Sequence, residues 1–197
     1  MSKGETTRQA IVERATALAA VIGLEGLSIG RLAEELELSK SGLFAHFGSK
    51  EALQVQVIEE AARQFVQEVM VKALTRPRGE PRVRAFFDSW LRWGDRPGGC
   101  VFVAATSELD DRPGPARDAL VKTMRDWLDA LATAARIAVD EGHFRKDLDP
   151  HQFAHELYSL MLGHHFFARF LRDPRALART RRGFDALLAA ARSAHKE

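Results

Sequence analysis

Residues 28–50, SIGRLAEELELSKSGLFAHFGSK, read as two short helices, a tight turn between them and the start of a third helix. Ser28 sits where an N-cap belongs, its hydroxyl able to accept a free backbone N–H of the first turn. Ile29, Leu32, Ala33 and Leu36 recur at helical spacing and form one apolar stripe. Glu37 and Leu38 break that stripe. Ser39 caps a second helix of barely two turns, Lys40 to His46. Leu43 and Phe47 lie four apart and give it one inward face. Lys40, Ser41, Gly42, Phe44 and His46 are left mostly outward; Gly48 ends the helix and Ser49 caps the next.

A helix this short does not stand alone in water, so its neighbours must hold it. A braced short helix with small and basic residues on its outer face is the plan of a helix-turn-helix, whose second helix enters the DNA major groove. Ser41 and Gly42 let the backbone approach base edges and phosphates closely. No acidic residue occurs between Glu37 and Glu51, so nothing on the segment repels a phosphate. Ser39, Lys40, Ser41, Gly42 and Phe44 are the expected groove-facing set. Ser28, His46, Ser49 and Lys50 are the expected phosphate-holding set: His46 and Lys50 supply positive or donor groups, and Ser49, like Ser39, sits where free N–H groups point outward.

This segment resembles the DNA-binding signature of the TetR family of bacterial transcriptional repressors. The resemblance rests on GLEGLSI upstream, on LSKSGLFAHF as the recognition helix and on GSKEAL opening the next helix. It covers about the first quarter of the chain; the remainder is similar to the family as an all-helical pattern of the right length. One departure stands out. The family usually carries a tyrosine where this chain has Phe44, and that hydroxyl often contacts a phosphate; Phe44 has only its ring to offer a sugar or a thymine methyl. The resemblance implies a homodimer and a signal-sensing pocket in the C-terminal body; the residues themselves, taken in order, read as an all-α fold of nine helices.

Composition agrees with a globular protein. The chain has 197 residues, 46% hydrophobic and 28% charged, a net charge of +2 and one cysteine, Cys100. No apolar run approaches the roughly 20 residues of a membrane span, no signal peptide is legible, and one cysteine makes no internal disulfide. A cytoplasmic location follows. Residues 1–50 hold six Lys/Arg and six Asp/Glu, a net of zero, so the DNA-reading part is not basic overall. Its charge is sorted instead, with acids gathered at Glu34, Glu35 and Glu37.

Taken in order, residues 1–5 read as a loose arm, with Lys3 and Arg8 as solvated surface or added phosphate contacts. A helix spans Thr6 to Ile22 and stops at Gly23. A long helix from Lys50 to Leu74 is a natural lever, followed by the breaker-rich loop TRPRGEP, 75–81. Pro81 opens a helix through Phe86, Phe87, Trp90 and Trp93; RPGG at 96–99 turns the chain. Residues 101–110 form a short helix, RPGP at 112–115 breaks it, and Ala116 to Glu141 form another long one ended by Gly142. Asp149-Pro150-His151-Gln152 starts a helix running to about Leu171, with Gln152 in place for a reciprocal capping bond. Asp173-Pro174 starts the last, ending near Ala194. The domain reading is 1–50 for DNA binding and 51–197 for ligand binding and dimerisation.

The last two helices are apolar on more than one side, through Phe153, Leu157, Leu160, Met161, Phe166, Phe167 and Phe170, then Leu177, Phe184, Leu187, Leu188 and Ala191. Pairing with the same surface of a second chain makes a four-helix interface under two-fold symmetry, and two reading heads then meet a palindromic operator. In the pocket that the resemblance implies, Phe86, Trp90, Trp93, Phe102, Met124, Trp127, Tyr158 and Met161 are the candidate lining for a hydrophobic or aromatic effector; each is otherwise ordinary core.

His151 and His155, beside Glu156, then His164 and His165, invite a metal reading, but convergent ligands are lacking and none is assigned. No cofactor is implied. Cys100, near Arg96, is either an oxidation sensor or a small buried hydrophobe. Arg169 to Arg182 holds six arginines and one acid, read as a solvated turn before a second nucleic-acid patch. No phosphate loop, nucleophile elbow or paired carboxylate argues for an enzyme. The expected protein is a ligand-responsive homodimeric repressor. Its rivals are a helical ligand carrier or adaptor without DNA function, and a DNA-binding activator lacking a ligand.

Overall fold

The computed structural model describes the backbone of residues 3–192 and the side chains of residues 8–192. It is all-α. In chain order the helices are α1 (Lys3–Gly26), α2 (Ile29–Leu36), α3 (Lys40–Phe47), α4 (Lys50–Phe65, continued as Val66–Val71 and Lys72–Leu74), α5 (Glu80–Gly94), α6 (Val101–Leu109), α7 (Pro115–Asp140), α8 (Pro150–His165, continued as Phe166–Phe170) and α9 (Ala176–Ala191). That makes nine helices and no strand among the described residues; one isolated bridge joins Phe144 to Arg192. No helix among them is long and apolar enough to cross a membrane.

Local chemistry sets most boundaries. Gly23 (φ 79, ψ 164) breaks α1, and a Cβ there would collide with the Glu108 carboxylate. Asp149 caps α8 by accepting from the His151 and Gln152 N–H groups, with Pro150 in the first turn. The Gln152 side chain does not make the expected reciprocal bond; it donates to Glu156 at 2.8 Å, one turn on. α1 begins at Lys3, inside the stretch expected to be a loose arm, and Lys3's side chain lies outside those described. The end of α9 expected near Ala194 also lies outside the described residues, which carry the helix to Ala191. Two segments are π-helical, Val66–Val71 in α4 and Phe166–Phe170 in α8.

The chain forms two compact units. The first comprises residues 1–65 and 95–124. Its core gathers Ile11, Ala15, Leu24, Leu27, Leu32, Leu43, Phe47, Leu53, Val57 and Leu109, all buried. Phe65 and Phe102 meet edge to face at 5.8 Å. The second comprises residues 66–94 and 125–197. Phe87 stacks on Phe184 at 3.9 Å, Phe86 meets Trp127 edge-on at 5.7 Å, and Phe144 tilts against Phe153. Glu80 at the start of α5 takes a two-pronged bond from Arg192 (2.7 and 2.8 Å) and one from Arg84 (2.8 Å).

Candidate nucleic-acid interface

Three serines set out the reading head. The hydroxyl of Ser28 accepts from Arg31 N–H at 3.1 Å, that of Ser39 from Gly42 at 3.1 Å, and that of Ser49 from Ala52 at 3.0 Å. Each therefore starts its helix as the sequence predicts. Between α2 and α3 the chain turns on Glu37, which adopts a left-handed conformation (φ 54), while Leu38 N–H returns to the Ala33 carbonyl at 2.9 Å. A Cβ at Gly42 would stand 2.9 Å from the Ser39 hydroxyl, so glycine keeps that cap unobstructed as well as the outer face low.

α3 is seated by Leu43 and Phe47, 1% and 5% exposed. Lys40, Ser41, Gly42 and Phe44 face solvent together, Phe44 with 59% of its surface bare. Lys40 has only a loose pair with Glu34, at 3.8 Å with both side chains mostly exposed. His46 departs from the outward expectation: it is half-buried, its ring 6.2 Å from that of Phe47. Arg8 lies with its guanidinium 6.0 Å from the Phe47 ring.

Lys50 is engaged within the head. Its ammonium donates to the Glu25 carbonyl at 2.8 Å and pairs with the Glu25 carboxylate at 3.2 Å. Arg112 holds the same carboxylate at 2.6 Å and Gln54 reaches it at 3.4 Å. The Arg112 bond is the largest influence holding the Glu25 carboxyl below its ordinary range, with partial burial opposing it and Lys50 and Gln54 assisting. Glu25 N–H in turn donates to Glu108 at 2.9 Å. Glu108 and Arg112 were not legible as partners of Glu25 in the head, because no local pattern links residues over 80 positions apart.

Of the aromatic set, Phe86, Trp90, Trp93, Trp127 and Met161 are buried in the second unit, where Trp90 meets the half-buried Tyr158 edge-on at 6.3 Å. Phe102 and Met124 belong to the first unit instead. Cys100 is buried at the start of α6, which suits a packing role better than contact with an oxidant in solvent. His164 is buried and shares a hydrogen bond with Thr180 at 3.1 Å. Burial, with Arg169 and His164 adding, pulls the His165 pKa down. Among the described residues no three His, Cys, Asp or Glu side chains are grouped to hold a metal. The arginine-rich stretch is partly consumed internally: Arg179 pairs with Asp173 at 2.5 Å and Arg181 with Asp88 at 3.0 Å.

Residues 11–57 match the bacterial regulatory proteins of the tetR family, and residues 79–184, more than half the chain, match the tetracyclin repressor-like C-terminal domain. The chain belongs to the TetR family. It is therefore a non-enzymatic, DNA-binding and ligand-responsive transcription regulator with a helix-turn-helix. Its structure is similar to that of a TetR transcriptional regulator from Chloroflexus aurantiacus J-10-FL, at 26% identity over 98% of this chain and 100% of that one, TM-score 0.86. A TetR-family regulator from Cytophaga hutchinsonii shares the fold at 23% identity, covering 100% and 99%, TM-score 0.85. So does AibR, solved in complex with isovaleryl coenzyme A and operator DNA, at 21% identity, covering 93% and 97%, TM-score 0.70. No curated protein matches the chain.

Proposed function

We propose that this regulator is a homodimeric repressor that binds a palindromic operator and is released by a small hydrophobic or aromatic effector. The observation that carries the DNA half is the exposed, acid-free outer face of α3, with Lys40, Ser41, Gly42 and Phe44 side by side on a helix capped by Ser39. These side chains read bases in the major groove, while Ser28, His46, Ser49 and Lys50 hold phosphates. For Lys50 this requires its ammonium to be shared with, or released from, Glu25.

Residues 1–50 act as the DNA-binding domain and 51–197 as the ligand-binding and dimerisation domain. The dimer face is on α8 and α9. Phe166, Phe167, Phe170, Leu171 and Leu177 are all exposed there, more apolar surface than a monomer leaves to water without reason. Two heads related by a two-fold axis read two half-sites. The effector enters the C-terminal body, with Phe86, Trp90, Trp93, Phe102, Met124, Trp127, Tyr158 and Met161 as the candidate contacts, and favours a state in which the heads are wrongly spaced. A protein of this kind works in the cytoplasm. The AibR structure, with an acyl coenzyme A and operator DNA, supports the pairing of these two activities on one such fold.

The test is fluorescence anisotropy of labelled DNA from upstream of the protein's own gene, titrated at several salt concentrations. Tight binding that random DNA does not compete away, with log K falling linearly in log salt, is expected. Affinity insensitive to salt sinks the DNA reading and leaves a helical carrier. Lys40→Ala weakens binding; a loss that varies with operator sequence marks a base contact, and an even loss marks a phosphate contact. Binding that no candidate effector relieves, in a protein whose melting no ligand shifts, points to an activator without a ligand.

A further inference from the structure

A groove of about 670 Å³ lies in the second unit, between the last turns of α4 with the loop that follows and the outer face of α5. Lys72, in the last turn of α4, and Arg76, in the loop just past its end, line one wall. Pro81, Arg84 or Ala85, Asp88 and Arg92 line the other, at steps of three or four residues with Arg84 and Ala85 adjacent, which places them on one face of α5. Four cations thus face a space whose lining holds one carboxylate.

That carboxylate is already engaged. Asp88 pairs with Arg181 at 3.0 Å. Arg84 is shared between Glu80 (2.8 Å) and Asp185 (3.3 Å), and Arg92 donates to Ser89 at 2.8 Å. Lys72 and Arg76 have no ion-pair partner among the described residues, and both are exposed. Two like charges on one wall repel, and a shared anion relieves the repulsion. The carbonyl groups at the end of α4 would ordinarily disfavour an anion here. Arg82 covers two of them, donating to the Leu74 and Arg76 oxygens at 3.3 and 3.1 Å. Pro77, Pro81 and Ala85 supply apolar wall, and no aromatic side chain is among the lining to stack on a ring.

We propose that this groove binds a small molecule bearing phosphate groups, with at least two negative charges and an aliphatic rather than aromatic body. The site is separate from the buried aromatic cluster, none of whose residues lines it. Lys72 and Arg76 grip the phosphate, Arg84 and Arg92 face it from α5, and the proline wall takes the aliphatic part. The π-helical segment Val66–Val71 ends at the residue before Lys72. Such a segment carries a turn wider than its neighbours and often marks a functional position, so a ligand held at Lys72 bears directly on the register of α4.

The experiment is isothermal titration of the purified protein with inorganic pyrophosphate at about 0.15 M salt, where long-range attraction between exposed charges is screened. It needs no operator, so its result is independent of the repressor reading. Saturable binding of one pyrophosphate per chain is expected. The double variant Lys72→Gln, Arg76→Gln weakens it by about tenfold or more, since two charge-assisted bonds are lost. Lys72→Gln alone gives an intermediate loss, and Arg136→Gln, on an exposed position of α7 outside the groove, gives none. Because both substituted side chains are exposed, the variants keep the wild-type melting temperature. No saturable binding, equal affinity in the double variant, or an equal loss in Arg136→Gln overturns the proposal.

Discussion

Phe44 presents an apolar ring to solvent in the middle of the reading helix, 59% exposed. It occupies the place where the family resemblance expects a phenol. Phe44→Tyr supplies a donor for a phosphate, and operator affinity should rise by about 0.5–1.5 kcal/mol, the net worth of one hydrogen bond. Anisotropy measures this, and unchanged or weaker binding would mean that the bare ring is itself used against sugar or base. Glu37 offers a second test at the same scale. It holds a left-handed conformation that costs a residue with a Cβ about 1–2 kcal/mol. Glu37→Gly should raise the unfolding free energy by up to about 1 kcal/mol, the gain being trimmed by glycine's greater freedom in the unfolded chain. Denaturant melts check it; destabilisation would show that the Glu37 side chain contributes more than its backbone costs. The turn was legible as a break in the α2 stripe, but which residue takes the strained conformation was not. Ladder and cap bonds around Leu38 decide that.

At the scale of elements, Glu80 joins the start of α5 to the end of α9. Bonds from Arg192 are the largest influence on it. With Arg84 they outweigh the cost of partial burial and hold the carboxyl down at about 2, against 4.5 for an ordinary glutamate. A carboxyl with a lowered folded pKa contributes stability above its unfolded value and loses it as pH falls towards the folded one. The contribution is therefore complete above pH 4.5 and disappears between 4.5 and about 2. Glu80→Gln should cost about 1.5–3 kcal/mol at neutral pH. The gap between variant and wild type should close as melts are repeated down that pH range; a gap that stays constant would assign the loss to packing. Four helix starts were readable, because Ser28, Ser39, Ser49 and Asp149 each act on N–H groups two or three residues away; the last was not, since α9 begins at Ala176 after Arg175 rather than at Asp173-Pro174. The Gln152 bond was misread because the amide can accept from the cap N–H or donate forward, and the Glu156 carboxylate one turn on is a charged acceptor within reach of its NH2. The π-helical turns of α4 and α8 left no mark in the apolar spacing.

At the scale of the whole molecule, the exposed phenylalanines of α8 carry the assembly argument. Phe166 stacks on Phe170 at 5.4 Å and Phe167 stands against Phe166 at 5.5 Å, with Phe170 77% exposed. Phe170→Glu places a charge in the proposed dimer face. The variant should elute as a monomer in size-exclusion chromatography with light scattering, and its operator affinity should fall by more than tenfold with a shallower salt dependence, one head contacting fewer phosphates. A variant that stays dimeric moves the interface elsewhere. Since Phe170 is so exposed, its replacement leaves the monomer fold intact, and circular dichroism verifies that.

What the amino-acid sequence determined by itself is the local grammar: nine helices, their caps and breaks, and a short helix whose outer face carries no acid. Those features rest on interactions spanning a turn or so of chain, and so they are written in spacing. The tertiary structure alone decided which charges remain available. Lys50 looks free in the sequence and is held by Glu25, itself held by Arg112; Lys72 and Arg76 look like ordinary loop-side cations and line a groove with α5. A charged side chain's partner is whatever packing brings within a few ångströms, and in a folded chain that neighbour often comes from a distant segment. Periodicity and capping carry no information about it.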